Sequence, residues 1–245
     1  MLKSEFQKIY DDIKLLMEKA LKNSDHPYRT FSLASLDKKV PKLRTVVLRE
    51  FSFENSFFDC HSDIRSPKVI EFKKNNKFSA LFYSSEKKIQ LRFNGKVEIF
   101  HNNSMTKERW KSITLSSKRC YMGPFNPSDQ LEEYHPNIPE NVKFENPSKK
   151  ESDKGYKNFV VIRCHFDELD YLKLKYSGHL RCKLIFENDE VVGVQTGDMG
   201  VSESGELKPG HELGIEIKAK MTILGEGCRG HLGKQIINKF NLSEG

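Results

Sequence analysis

Two basic residues stand where each could bind an anionic group. Arg44 opens the run RTVVLREFSF, and Lys68 follows Ser66 and Pro67 at the start of a helical pattern. Proline suits the first turn of a helix, where free backbone N–H groups attract anions, and either Ser62 or Asp63 could cap that turn. A guanidinium and an ammonium group both form charge-assisted hydrogen bonds with phosphate oxygens. This combination predicts a phosphate site.

The elements that would position these residues are β-strands. Three runs of β-branched and aromatic residues lie between residues 44 and 95, each bounded by polar turns. Alternating side chains in the first run, and again around Gln90 in IQLRFNG, are typical of half-buried strands. Antiparallel β structure is therefore predicted, with the second run leading through a polar turn into the helix near Pro67. In the first run, the side chains of Thr45, Val47 and Arg49 alternate with those of Val46, Leu48 and Glu50.

Other elements surround this region. Residues 3–22 have apolar side chains at spacings of three and four, which predicts an amphipathic helix. Thr30 to Leu48 reads as a hairpin, and Thr106 to Leu115 as a helix with a serine cap at Ser104. Strands are predicted in FVVIRCHFDELDYLKL and HLRCKLIFEN, whereas residues 135–158, with three prolines, predict a surface loop.

Composition restricts the function classes. The chain has 245 residues, 37% hydrophobic and 31% charged, and a net charge of +7 that comes from scattered lysines. Nucleic-acid binding needs clustered basic residues with exposed aromatics, so we expect no nucleic-acid partner. Five cysteines without a CxxC pair predict free thiols, no structural metal site and a cytoplasmic location. No run is long enough for a membrane span.

The ordered motifs Arg44-x-x-x-Leu48-Arg49, His61-Ser62-x-x-x-Ser66-Pro67-Lys68 and Gln90 opening a strand resemble the FMN-binding split barrels of the pyridoxamine 5'-phosphate oxidase type. The resemblance covers about residues 5–186. It implies an antiparallel split β-barrel, mainly β with α (α+β), that binds FMN between the two subunits of a homodimer.

The resemblance also implies a role for each residue. The strand from Arg44 would run along the flavin, its guanidinium on the FMN phosphate, and Ser62, Ser66 and Lys68 would complete the phosphate site. Gln90 would meet the polar edge of the flavin ring. Pro67 stands where relatives usually carry a second basic residue. The implied cofactor residues are Arg44, Thr45, Val46, Val47, Leu48, Arg49, His61, Ser62, Ser66, Pro67, Lys68 and Gln90.

The resemblance is weaker in the regions that would bind a substrate. The Tyr-x-x-x-Arg-x-x-x-Ser pattern of the vitamin B6 oxidases is absent, because Thr114 and Lys118 follow Trp110 at those spacings. The implied substrate residues are Arg49, Arg119, His179 and Arg181, with the substrate unassigned and the catalytic residues unknown. Taken singly, each motif has a plainer interpretation: a solvated arginine, an ordinary helix start or one polar residue of an amphipathic strand.

The composition changes near Glu190, since ten of the fifteen glycines lie between Gly193 and Gly233. Residues 190–245 resemble a segment of the FAD domain of electron-transfer-flavoprotein:ubiquinone oxidoreductase. FAD is nevertheless not expected, because the segment matches only a fragment of that domain rather than a complete site, and it also lacks the four cysteines of an iron–sulfur cluster. The runs VVGVQT and AKMTILG predict strands, and HLGKQIINKF predicts a helix. The preferred interpretation is a fused or truncated gene end with a small α/β fold.

Together these patterns predict an FMN-binding split-barrel domain at residues 1–188 and an appended fragment at residues 189–245. The predicted function is an FMN-dependent oxidoreductase acting on a small molecule. Two alternatives remain open: a non-catalytic flavin- or haem-binding module, and a fragment of the quinone oxidoreductase.

Overall fold

The computed structural model of the chain describes residues 3–176, 178–187, 190–195, 199–202, 207–212 and 216–218. The helices are α1 (Lys3–Lys22), α2 (Pro67–Lys74), α3 (Ser104–Ser112), α4 (Leu115–Lys118) and α5 (Lys149–Ser152). The strands are β1 (Thr30–Asp37), β2 (Val40–Ser52), β3 (Phe57–Asp63), β4 (Lys77–Ser84), β5 (Ile89–His101), β6 (Phe159–Lys173), β7 (Leu180–Glu187), β8 (Glu190–Gln195), β9 (Met199–Val201), β10 (Leu207–Glu212) and β11 (Glu216–Lys218).

Six antiparallel strands close into a barrel. Their order is β6-β3-β2-β1-β4-β5, and β5 pairs again with β6. The side chains alternate as the sequence predicts, most regularly in β4, where every second residue is buried. The interior is aromatic, with Phe31, Phe58, Phe82 and Phe93 in edge and stacked contacts. Each fully buried phenylalanine contributes about 1.5–3 kcal/mol to folding. The predicted antiparallel split β-barrel is confirmed.

The barrel is split between β2 and β3. Leu48 pairs with Cys60, and the pairing then runs to the Ser52–Phe57 end of the two strands. On the other side of Leu48, the half of β2 from Val40 to Val47 pairs with β1. The end of β3 from Cys60 to Asp63 pairs with β6. The two strands therefore separate beyond Leu48 and Cys60, leaving one edge of each turned towards the gap.

Helices cover the barrel. The predicted helix at residues 3–22 is α1, which buries Ile13 and Met17 completely. Helix α2 buries Val69 and Phe72 in the same core. Helix α3 begins earlier than predicted because Asn103, rather than Ser104, is its cap in a reciprocal box with Thr106.

The segment from residue 135 to 158 contains more structure than its prolines predict. Short helical turns span Glu140–Val142 and Asp153–Asn158, with α5 between them. Val142 and Ser152 are buried, so this loop packs on the rest of the domain.

The C-terminal strands extend the barrel sheet. The predicted strand VVGVQT corresponds to β8, which pairs with β7, and β11 pairs in turn with β8. Strands β9 and β10 form a separate two-stranded sheet. The strand AKMTILG and the helix HLGKQIINKF, both predicted from sequence, lie outside the described residues. No helix in the described ranges is long and apolar enough to cross a membrane.

Candidate anion-binding site

Arg44 lies on β2 at the split of the barrel, with its side chain 21% exposed. It shares a face with Leu33, directly opposite on β1, and its Nη1 donates a hydrogen bond of 3.3 Å to the Leu33 carbonyl. The same Nη1 donates to Ser35 Oγ, and Nη2 donates to Glu71 Oε2 at 2.7 Å. The Arg44 guanidinium is therefore held by α2 and β1 together.

Lys68 lies across the split from β2, in the first turn of α2. Its Nζ donates to Ser62 Oγ at 3.2 Å and to Ser66 Oγ at 3.4 Å, and the two hydroxyl oxygens are 2.9 Å apart. The predicted cap at Ser62 or Asp63 is wrong, because Ser66 is the N-cap residue of α2. Ser66 donates to the Asp63 carbonyl at 2.8 Å, so its hydroxyl is fixed. The structure brings together Ser62, Ser66 and Lys68, the three residues that the resemblance assigns to one site.

The electrostatics of this cluster favour an anion. Lys68 is half-buried, and burial lowers the pKa of its ammonium group, with the positive charge of Arg44 acting in the same direction. In the described part of the chain, the hydrogen-bond partners of Lys68 are hydroxyl groups rather than carboxylates. A partly desolvated cation with neutral partners gains free energy from a bound anion. The Ser62 hydroxyl can donate to that anion, whereas the single proton of the Ser66 hydroxyl is already donated to the Asp63 carbonyl.

The remaining predicted residues of β2 alternate between the outer face and the core. Thr45 and Arg49 are exposed, Val46 and Val47 are partly buried, and Leu48 is fully buried in the core. Leu48 can therefore meet a ligand only through its backbone. Pro67 is the exposed first residue of α2 and adds no donor.

Gln90 lies on the outer face of β5, directly opposite Tyr83 on β4. In the sheet, β1 and β4 separate β5 from β2, which corresponds to about 14 Å, or three interstrand spacings. The structure therefore does not bring Gln90 into contact with the Arg44 and Lys68 cluster of the same chain.

A second basic pocket of about 220 Å³ lies next to the split, between α1 and the segment after α3. Its lining includes Arg29, Arg49, His61 and Arg109, together with hydroxyl residues such as Thr114. Burial, with the charge of Arg49, lowers the pKa of His61 to about 3, so its ring is neutral near pH 7. The His61 Nε2 is buried, and none of the described residues forms a hydrogen bond with it.

Two of the arginines that line this second pocket already bind other groups of the protein. Arg29 Nη1 donates to the carbonyls of Ala20 and Leu21 at the end of α1. Arg109 forms an ion pair with Glu50.

The other predicted substrate residues are placed elsewhere. Arg119 donates to the carbonyls of Val142 and Lys143, so it anchors the 135–158 segment. His179 is exposed, and its Nδ1 accepts from the Lys175 amide at 3.3 Å.

Arg181 lies on the face of Gln90, two strands away, because Leu172 pairs with both residues. Its Nε and Nη2 donate to Asp170 at 3.1 and 2.8 Å. Burial of Asp170 would raise its pKa, but hydrogen bonds from Arg181 and Arg92 outweigh that effect and lower it.

The sequence reasoning missed Ser35, Glu71, Arg29 and Arg109. Glu71 is the fourth residue after Pro67, so it follows Lys68 by three positions and lies on the same side of the helix. That spacing could have indicated an acidic residue close to the phosphate site. Ser35 and Arg29 come from outside the motifs, and only the tertiary fold places them here.

A known protein family matches part of the barrel region. Residues 12–101 match the model of the family described as pyridoxamine 5'-phosphate oxidase, FMN-binding domain. This segment contains Arg44, Ser62, Ser66, Lys68 and Gln90.

Two solved structures share the fold. A pyridoxamine 5'-phosphate oxidase-related, FMN binding protein from Nostoc punctiforme superposes with a TM-score of 0.55 at 16% identity, covering 73% of this chain and 91% of that one. PhzG from Burkholderia lata, in complex with tetrahydrophenazine-1-carboxylic acid, has a TM-score of 0.55 at 12% identity, covering 74% and 88%.

A second sequence similarity covers only a short part of the chain. Electron transfer flavoprotein-ubiquinone oxidoreductase from Pseudomonas aeruginosa is 53% identical over 60 residues, which are 24% of this chain and 11% of that protein. The probable enzyme of the same name from Acinetobacter baylyi is 46% identical over 70 residues, 28% of this chain and 12% of that protein. The chain thus spans about a tenth of these curated relatives.

The resemblance found in the motifs is therefore confirmed: residues 12–101 match the FMN-binding domain family of pyridoxamine 5'-phosphate oxidase, and the barrel that contains them has the split-barrel fold of its structural neighbours.

Proposed function

We propose that this chain is a cytoplasmic FMN-dependent oxidoreductase that holds the FMN phosphate in the cluster of Arg44, Ser62, Ser66 and Lys68. The observation that carries the proposal is the half-buried Lys68 ammonium, whose neighbours are two buried hydroxyl groups at the split of the barrel. Within a segment that matches an FMN-binding family, a phosphate ester is the anion best suited to it.

The residues fit the cofactor in charge and in position. Arg44 and Lys68 supply two positive charges against a phosphate group of about −1.5 to −2 at pH 7. The unpaired edge of β2 from Arg44 to Val47 offers backbone N–H and C=O groups along the split. Bound FMN would supply the hydride or electron chemistry, and the protein would orient it and set the polarity around it. FAD is not expected as the cofactor, because residues 190–245 resemble only part of an FAD domain.

A homodimer explains the position of Gln90. Within one chain, Gln90 is remote from the phosphate cluster, so a flavin held at Arg44 would meet the Gln90 of a second copy. The outer face that carries Gln90 also exposes Leu43 (70%), Tyr83 (45%) and Leu81 (36%). Exposed apolar side chains grouped on one sheet face are typical of an interface. We propose that this face joins the two subunits.

The second basic pocket is the proposed substrate site. Arg49 ends the β2 run, and His61 precedes Ser62, so both residues link this pocket to the phosphate cluster. Its guanidinium groups favour a substrate with a carboxylate or phosphate group. Neutral His61 can donate or accept one hydrogen bond to such a ligand without adding charge.

Titration with three flavins tests this function. FMN should bind about one per chain and at least tenfold more tightly than riboflavin, which lacks the phosphate; FAD should bind more weakly than FMN. Sedimentation of the FMN complex should give twice the mass of one chain. Equal affinities for FMN and riboflavin would refute the phosphate site, and a monomeric FMN complex would refute the shared site.

A further inference from the structure

Glu71 lies directly at the proposed phosphate site although it is an anion. Its carboxylate, on α2, accepts from Arg44 Nη2 at 2.7 Å and from the buried hydroxyl of Ser35. The same Ser35 hydroxyl accepts from Arg44 Nη1, which closes a triangle of three side chains. Glu71 is only 11% exposed, so water screens this interaction poorly.

The hydrogen bonds of Arg44 limit what it can offer a ligand. A guanidinium has five N–H groups. Nη1 donates to Leu33 and Ser35, and Nη2 donates once to Glu71. Nε and one N–H of Nη2 remain for a phosphate, and they belong to a cation that already faces a carboxylate.

The charge of the cluster is correspondingly low. Arg44 and Lys68 are positive and Glu71 is negative, and Glu71 also acts electrostatically on Lys68. The acidic Asp63 nearby is paired with Arg65 at 2.7 Å. Pro67, next to Lys68, contributes no charge. The site therefore holds about one net positive charge, which is less than a phosphate dianion carries.

We propose that Glu71 is a built-in competitor of the bound phosphate at Arg44 and that it sets the affinity and the release rate of the phosphorylated ligand. The carboxylate satisfies Arg44 when the site has no ligand, and it repels the phosphate when the ligand binds. The inference rests on the proposed function for the identity of the ligand, which is FMN. Its physical basis is two anions sharing one guanidinium in a poorly screened site.

Substitution of Glu71→Gln tests the proposal, because the amide keeps the size and an acceptor oxygen while removing the charge. The variant should bind FMN at least tenfold more tightly than the unmodified protein, mainly through slower release, and riboflavin affinity should not change. Glu54→Gln is the matched control. Glu54 precedes β3 whereas Ser62 lies near its end, so this substitution removes the same charge far from the site.

Glu71→Asp provides a second variant with a smaller change. It retains the charge but withdraws it by one methylene, and should raise FMN affinity by less than Glu71→Gln does. Unchanged or weaker FMN binding in a folded Glu71→Gln protein would overturn the proposal and would indicate that Glu71 only positions Arg44.

A second readout separates this inference from the proposed function. Inorganic phosphate should protect the Glu71→Gln protein against thermal unfolding at a concentration at least tenfold lower than it protects the unmodified protein. If neither protein binds FMN, the proposed function fails, but the phosphate concentrations that give half-maximal protection of the two proteins still test the role of Glu71. Equal concentrations for the two proteins would refute the competition.

Discussion

Lys68→Met should have opposite effects on ligand binding and on folding. The substitution keeps the length and most of the apolar contacts of the side chain but removes its ammonium group. One charge-assisted contact contributes about 1.5–3 kcal/mol, so the affinity for FMN should fall by about tenfold to about 150-fold. Riboflavin has no phosphate, and its affinity should not change.

The ligand-free protein should become no less stable. Burial lowers the pKa of Lys68 below its ordinary value of 10.5, so the folded state holds this proton less tightly than the unfolded state does. Unfolding therefore takes up a proton between the lowered pKa and 10.5, and the contribution of Lys68 to the free energy of unfolding rises with pH across that interval. Methionine removes both this pH dependence and the cost of burying the charge.

Flavin fluorescence titration and urea unfolding of the ligand-free protein measure the two effects. Lys74→Met is the control, since it removes a lysine from the exposed end of the same helix. Equal losses of FMN affinity in the two variants would show that only net charge matters. A loss of riboflavin affinity as large as that of FMN would show that Lys68 has a structural role.

Three further predictions follow from neighbouring residues. Arg44→Ala should weaken FMN at least tenfold in the same titration and leave riboflavin nearly unaffected, whereas equal losses would make Arg44 structural. Because the pKa of His61 falls from 6.5 to about 3 on folding, the free energy of unfolding should decrease by up to about 1.4 kcal/mol per pH unit as pH is lowered from 6.5 towards 3. In urea unfolding, His61→Gln should make this pH dependence weaker. An unchanged pH dependence would contradict the burial of a neutral ring. Truncation after Asn188 should lower the melting temperature, because β7 loses its partner β8, but it should leave FMN affinity unchanged. If the shortened protein is soluble and folded but does not bind FMN, the C-terminal segment is part of the site.

The sequence predicts the barrel well because its signals are local. Alternating apolar side chains identified the strands, and the order of Ser66, Pro67 and Lys68 identified the start of α2. Residues two to six positions apart around one turn, such as Ser62, Ser66 and Lys68, come together through local geometry alone. Their cluster could therefore be predicted without the fold.

The sequence could not show which residues surround that cluster. Glu71 meets Arg44 from a different element, 27 positions away, and Ser35 approaches from β1. Arg119 suits an anion site by its chemistry, yet the fold directs it to the carbonyl groups of the 135–158 segment. Such pairings depend on strand order and helix docking, which single-residue patterns do not encode.

The absorbance spectrum of the purified protein, recorded after incubation with FMN and removal of unbound flavin, tests the central claim most directly. We expect flavin bands that correspond to about one FMN per chain. A protein that remains colourless would contradict the claim, and a Soret band after incubation with haem, without any flavin binding, would identify the barrel as a haem-binding module instead.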